Sequence, residues 1–292
     1  MLRAEMVSRV ADPAEQVVAM AEAARCLVLL ERDLGKAESL VLEAGALLRR
    51  AGGRSDAVAA ASGMLRLYEG QLDAAAVLLE EARELARNKG DRYSEFQALE
   101  HLVTVEMQRG AVSEVAGRAG ELLALGDRLR DGSEAPFARA LATLLRDVDG
   151  SNARSGDPLN EALEALRAAD SKHRLAFILT RAAFADLASG NAVRARYRAA
   201  EALDCARTLE RPSEIALARV ALLRAAVMLG DGDGAQREAA VLARHSGNAL
   251  SAEARSAIEV VLDEYGPDNN RRSGRSHGAS SRRKTVRTAD HL

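Results

Sequence analysis

Histidine is the side chain best suited to acid–base and metal chemistry near neutral pH, and the chain has five histidines. None of them belongs to an H-E-x-x-H sequence, and none has a cysteine at the spacing of zinc ligands. His101 stands beside Glu100, a neighbourhood more typical of a groove-lining or partly buried histidine than of a metal ligand or a base. We therefore expect no metal site.

The motifs of nucleophilic and phosphate chemistry are also missing in any context that would support them. The one G-x-S-x-G match, Gly274 to Gly278, lies in the Arg- and Ser-rich C-terminal segment and not between a strand and a helix, where the motif holds a nucleophile. No G-x-x-x-x-G-K-[ST] loop is present, because the one Gly35-Lys36 pair is followed by Ala37. Paired carboxylates such as Glu80 and Glu81 fall on the polar side of a helical pattern, where solvated charge is the usual interpretation. We expect a protein without catalytic residues or a bound cofactor, and not an enzyme.

The composition favours helices, since alanine, leucine and arginine dominate and lose little rotamer freedom in a helix. The two cysteines, Cys26 and Cys205, lie in helical patterns and are expected in the core. No apolar run approaches the roughly 20 residues that span a bilayer. The first ten residues carry charges and lack the apolar centre of a signal peptide. We therefore expect a cytoplasmic protein that does not contact a membrane.

A glycine recurs every forty residues, which is the strongest regularity in the sequence. Each of these glycines follows a helical pattern and suits a tight turn between two helices, because glycine accepts positive φ. An earlier copy has Arg32 in the glycine position, which makes six helix pairs. The five glycines are Gly70, Gly110, Gly150, Gly190 and Gly230.

The residues around these turns keep the same register. The fifth position after each turn is small or β-branched in all six copies, as expected where two helices approach closely. Serines follow the breakers between pairs and suit helix N-caps. Ser251 to Tyr265 indicates a closing helix. These patterns predict an all-α protein in which residues 1–265 form a right-handed α-solenoid of about six helix pairs with a C-terminal capping helix.

Two segments depart from the repeat. Residues 149–157 form a polar loop in the fourth copy, which indicates either a tolerant surface loop or a partner-binding loop. After Gly266 there are seven basic and two acidic residues and almost nothing apolar, so we expect residues 266–292 to be a disordered basic tail. Its Arg282, Arg283 and Lys284 could contact nucleic acid or an acidic partner.

Three stretches resemble tetratricopeptide (TPR) repeats, namely GQLDAAAVLLEEARELARNKGD, LGKAESLVLEAGALL and GNAVRARYRAAEAL. The forty-residue period exceeds the usual length of about 34. It is similar to the variant in the C-terminal arms of large bacterial signalling ATPases, namely the maltose-regulator-like activators and the cyclase-linked ATPases. The stretch LLALGDRLRDGSEAPFARAL, from Leu122 to Leu141, resembles a phrase of the cyclase-linked group.

This resemblance implies a protein- or peptide-binding scaffold, in bacterial signalling or regulation, that uses its concave surface. The alternatives are a transcription-linked regulator whose basic tail contacts nucleic acid, and a small-molecule sensor arm of a split signalling ATPase. The first helices of successive pairs are expected to line the concave surface. The register then places eight candidate partner-binding residues on or near it: Gln97, Glu100, His101, Thr104, Arg139, Thr180, Arg181 and Arg224.

Overall fold

The structure, a computed structural model, describes residues 12–129, 132–148, 158–244 and 250–265. In these ranges the chain forms thirteen α-helices and no strand. The predicted loop 149–157 and the predicted tail 266–292, with Arg282, Arg283 and Lys284, lie outside the described residues. The predicted all-helical fold is confirmed for the described part of the chain.

The described helices fall into two compact units, and the division between Ala165 and Leu166 lies within α8. The helices of the first unit are α1 (Pro13–Leu29), α2 (Leu34–Arg50), α3 (Asp56–Glu69), α4 (Leu72–Lys89), α5 (Arg92–Arg109), α6 (Val112–Gly126), α7 (Glu134–Val148) and most of α8 (Pro158–Ala168). The helices of the second unit are α9 (Lys172–Ala188), α10 (Ala192–Thr208), α11 (Pro212–Met228), α12 (Gly232–Leu242) and α13 (Ala252–Tyr265).

The turns between paired helices are made as the glycine pattern predicts. Gly70, Gly110, Gly190 and Gly230 all adopt positive φ, at 82°, 69°, 78° and 71°. Gly110 shows the reason, since its backbone N–H bonds back to the carbonyl of Met107 while its left-handed conformation turns the chain. A side chain at this φ would strain the backbone, so the residue that closes the hairpin is glycine.

The helix starts follow the serine pattern only in part. Asp12 and Pro13, rather than a serine, open α1, and the Asp12 side chain accepts a hydrogen bond from the Ala14 N–H at 2.9 Å. In α5 the cap is Asp91 rather than Ser94, the serine that follows the breaker before this helix, and the helix begins two residues before that serine. Aspartate also accepts from backbone N–H groups, so it displaces the serine as cap where the two compete.

Consecutive helices pack side by side from α1 to α7 and from α9 to α13. Alternate helices also touch, as α1 does with α3, and α9 with α11. The buried core of the first unit includes Val17, Met20, Val41, Leu65, Leu79 and Leu102. In the second unit α9, α10 and α11 meet on an alanine cluster, Ala183, Ala195, Ala199, Ala221 and Ala225. Alanine suits this place because it allows close approach without lost side-chain entropy.

Ion pairs recur with the repeat as well. Glu106 of α5 lies 3.8 Å from Arg118 of α6, and the residues two repeats later, Asp186 and Arg198, are 2.9 Å apart. Since each acid precedes and each arginine follows the turn by the same number of residues, the forty-residue register positions polar contacts as well as apolar ones.

Among the described helices, none combines the length and apolar content needed to cross a membrane.

Two helical glycines should respond to the same change in opposite ways. A Cβ on Gly63 of α3 would lie 2.7 Å from Cγ of Leu79 in α4, whereas one on Gly120 of α6 would meet no atom within 4 Å. We expect Gly63→Ala to destabilise the protein by about 1–3 kcal/mol through overpacking. Gly120→Ala should stabilise it by about 0.5–1 kcal/mol, because alanine is the better helix former.

Urea unfolding followed by far-UV circular dichroism measures both changes, and each variant serves as the control for the other. A Gly63→Ala variant as stable as the parent protein would show that α3 and α4 do not approach as closely as described.

Candidate functional site

The first helices of the pairs, namely α1, α3 and α5 in the first unit and α9, α11 and α13 in the second, contact one another directly. We call the surface on which they meet the first-helix face of each unit. Most of the predicted partner-binding residues lie on these helices, and the structure shows what each of them touches.

In the first unit an arginine crosses the first-helix face. Arg25 of α1 donates a hydrogen bond from Nη1 to Oε1 of Gln97 in α5, which lies 72 positions further along the chain. Its Nε and Nη2 donate to Oε2 of Glu22 at 3.1 and 2.6 Å. Both Arg25 and Gln97 are half-buried. Gln97, one of the predicted partner-binding residues, therefore already forms a hydrogen bond within the chain.

Four of the predicted residues form one strip along α5. Gln97, Glu100, His101 and Thr104 follow the i, i+3, i+4, i+7 spacing of a single helix face, and all four are half-buried. The Thr104 hydroxyl donates to the backbone oxygen of Glu100 at 3.2 Å, which leaves its oxygen as an acceptor. We call these four residues, together with Glu22 and Arg25, the α5 strip: it combines hydrogen-bond donors and acceptors with charges of both signs.

Arg139 lies apart from this strip. It is exposed on α7, and its Nη2 donates to Oδ1 of Asp127, just after α6, at 2.8 Å. Both side chains are more than half exposed, so the ion pair contributes little to stability.

In the second unit Arg181 binds three first helices together. Nη2 of Arg181 in α9 donates to both carboxylate oxygens of Glu253 in α13 at 2.9 Å, and Nη1 donates to Glu214 of α11 at 3.3 Å. The guanidinium also stacks on the Phe177 ring, 4.0 Å from its centroid. The side chain of Arg181 is only 9% exposed and that of Glu214 only 8%. We call Arg181, Glu214 and Glu253 the Arg181 triad.

The electrostatics of the triad keep Arg181 charged. Burial by itself lowers the pKa of Arg181, but the carboxylates of Glu253 and Glu214 outweigh it and hold the pKa above its ordinary value. Since both carboxylates already bind this guanidinium, the predicted partner-binding arginine is engaged within the chain.

The remaining two predicted residues also lie in the second unit. Thr180 is fully buried, and its hydroxyl has no hydrogen-bond partner in the described part of the chain. Arg224 of α11 is half-buried, and its Nη2 lies 3.8 Å from Oε2 of Glu264 in α13. Thr180 in this structure is thus a core residue, because a side chain without exposed surface has no contact to offer a partner.

Because the buried Thr180 hydroxyl has no hydrogen-bond partner in the described part of the chain, its removal should stabilise the protein. Thr180→Val keeps the shape of the side chain and removes a buried polar group without a partner, so we expect a gain of about 1 kcal/mol. The matched control is Thr104→Val, because that hydroxyl is half-buried and does have a partner. It should leave stability unchanged or slightly lower. Chemical denaturation compares the two, and a loss of stability in Thr180→Val would show that the hydroxyl is bonded in solution.

The partners of these residues could not be identified from the sequence. These partners belong to helical patterns with many other charges, and nothing in their residue types distinguishes them. They are Glu22, Arg25, Glu214 and Glu253. The one sequence feature that points to these pairs is the distance between them along the chain. Arg25 and Gln97 are 72 positions apart, as are Arg181 and Glu253, which is close to two repeats. This separation identifies a contact only when the shift of alternate helices along one another is known.

The two cysteines differ in environment. Cys26, expected in the core, is exposed, so that prediction was wrong: its position in α1 faces away from the neighbouring helices. Cys205 is half-buried, and burial raises the pKa of its thiol above the ordinary value. In the described ranges, no three His, Cys, Asp or Glu side chains are grouped closely enough to hold a metal ion.

Comparison with known proteins adds no assignment. The chain matches no protein-family model. A search of curated proteins finds no match either.

Proposed function

We propose that this protein is a non-catalytic scaffold that binds a peptide segment of a partner protein on the α5 strip of its first unit. The observation that carries the proposal is the meeting of Arg25, Gln97 and Glu22 from helices far apart in sequence on one half-buried polar surface. Half-buried polar groups can exchange their intramolecular bonds for bonds to a ligand, since they already lie partly out of water.

The α5 strip suits a peptide because its groups match those of a polypeptide. Gln97 and His101 can bond backbone amides and carbonyls, while Arg25 and Glu100 can pair with charged side chains of either sign. The strip extends over two turns of α5, and helices α1 and α5 both contribute to it. A partner segment that lies across it would contact side chains from both helices at once.

The second unit has a different role in this proposal. The Arg181 triad closes its first-helix face with charges that are bound to one another, so this unit serves as a rigid support. We further propose that the whole chain is a right-handed solenoid of six TPR-like pairs with α13 as its cap, working in the cytoplasm in bacterial signalling. The recurrence of turns, alanines and ion pairs at the forty-residue period supports the repeat part of this proposal.

The test uses the full chain as bait, with chemical cross-linking and mass spectrometry of captured proteins. Two variants alter the strip, Arg25→Ala and the double substitution Gln97→Ala with His101→Ala. The control is Arg49→Ala, which removes an exposed charge at the end of α2. The proposal is supported by a partner that cross-links to α5 and is captured equally by the control. Both strip variants should capture roughly tenfold less of it. Partners captured equally by all forms would overturn the proposal.

A further inference from the structure

The outer side of α10 carries an exposed apolar and aromatic surface that the fold does not need. Tyr197 is 69% exposed and Val193 is 52% exposed, one helical turn apart. Ala200 continues this line, and Arg194 and Arg196 lie beside it, all exposed. We call these five residues the α10 ridge. The opposite side of α10 is buried through Ala195, Ala199 and Ala202 and others, so the ridge faces away from the core.

The repeat itself shows that this surface is not a packing requirement. Since each second helix of a pair has residues in the register of Val193 and Tyr197, the other described second helices act as internal comparisons. Only α10 has apolar or aromatic residues at both positions, and elsewhere at least one is glycine, polar or charged. The equivalent residues are Gly35 and Ser39 in α2, Asp73 and Val77 in α4, Ser113 and Gly117 in α6, and Asp233 and Arg237 in α12.

The two charged residues of the ridge, Arg194 and Arg196, are both basic. Arg196 makes no ion pair or hydrogen bond through its side chain in the described part of the chain. Arg194 bonds the buried Asp186 but remains 51% exposed. Glu201, the position after Ala200, is bound by Arg167 through two bonds of 2.6 Å, so it does not neutralise the ridge. An incoming surface of negative charge is therefore complementary to it.

We propose that the α10 ridge is a docking surface for an acidic amphipathic helix of a partner protein. An apolar side chain of that helix would lie between Val193 and Tyr197, and its carboxylates would pair with Arg194 and Arg196. Tyrosine and arginine are the residue types that most often carry binding energy at protein interfaces. The apolar Val193 and Ala200 favour a helix over nucleic acid, because apolar side chains offer no hydrogen bond to a phosphate. The small area implies a transient contact.

This surface is independent of the peptide site proposed above, because it lies on a second helix of the second unit. Either proposal can fail while the other stands. In a binding assay for the ridge, the Gln97→Ala and His101→Ala double variant must therefore bind as well as the unaltered protein.

The experiment is a fluorescence anisotropy titration of the full chain against a synthetic acidic helix. The probe is an end-capped peptide of about 20 residues with leucine at i, i+3, i+4, i+7 spacing and glutamate elsewhere on the same side. We expect saturable binding that weakens with added salt. Tyr197→Ala and Arg196→Glu should each weaken it by roughly tenfold. Arg49→Ala, which removes an exposed arginine from α2 in the first unit, should leave it within about twofold.

Each other outcome overturns the proposal. These outcomes are no saturable binding, equal binding by all variants, and displacement of the peptide by a DNA duplex at lower concentration, which would make the ridge a nucleic-acid surface. Far-UV circular dichroism of every variant verifies the fold, which these substitutions should preserve because all three side chains are exposed.

Discussion

Replacement of Arg181 by alanine is expected to destabilise the protein by about 3–5 kcal/mol, because it leaves the buried carboxylate of Glu214 without its partner. Glu214 is only 8% exposed and cannot regain full solvation in the folded state. Glu253, which is 29% exposed, loses its bonds to Arg181 at the same time. The truncation also removes the guanidinium stacked on Phe177. The change is large because a buried charge costs most when it is alone.

Denaturant unfolding of the full chain measures this loss, and two further variants give its cause. Arg207→Ala removes an exposed arginine whose partner Asp204 is 3.7 Å away, and it should change stability by less than about 0.5 kcal/mol. The double substitution Arg181→Met with Glu214→Leu should recover much of the loss, since it replaces the paired charges by apolar groups of similar size. If Arg181→Ala is no more harmful than Arg207→Ala, the triad is not formed in solution.

Replacement of Asp186 by alanine should destabilise the protein by about 3 kcal/mol, because in this case a buried positive charge loses its carboxylate partner. Asp186 is 3% exposed, and it accepts from Nη1 of Arg198 at 2.9 Å and from Nε of Arg194 at 2.7 Å. Without it, Arg198, itself only 11% exposed, remains a buried cation without this carboxylate. Arg194 can turn into solvent, so the loss falls at the lower end of the range for buried pairs.

Asp204→Ala is the matched control for this change, because it removes an aspartate of α10 that is 78% exposed. It should shift the free energy of unfolding by less than about 0.5 kcal/mol. Asp186→Asn should lie between the two, since the amide still accepts hydrogen bonds but no longer carries charge. Equal effects of Asp186→Ala and Asp204→Ala would contradict the buried position of Asp186.

Much of the local structure could be predicted from the sequence, and α4 shows why. The stripe Ala75, Leu79, Ala82 and Ala86 recurs at helical spacing, and all four residues are buried. Gly70 ends the preceding helix α3, and Gly90 ends α4 itself, both with positive φ. Such features depend on residues within a few positions of one another, so periodicity and turn chemistry are sufficient to identify them.

The candidate site could be predicted only in outline. The register places Gln97, Glu100, His101 and Thr104 on one side of α5, because residues on one helix face are neighbours whatever that helix packs against. The same reasoning assigned Thr180 to a binding surface, whereas it is fully buried. In the second unit α9 is buried on nearly every side, so a polar residue in the right register does not reach the surface.

The sequence by itself therefore determined the helices, their turns and the apolar faces that they bury, because these follow from interactions between residues close together in the chain. Only the tertiary structure decided which charges meet. Arg25 and Gln97 are 72 positions apart, and so are Arg181 and Glu253. Whether such side chains touch depends on the stagger and spacing of alternate helices, which the packing of the whole unit sets. The exposure of Tyr197 and the burial of Thr180 were decided in the same way.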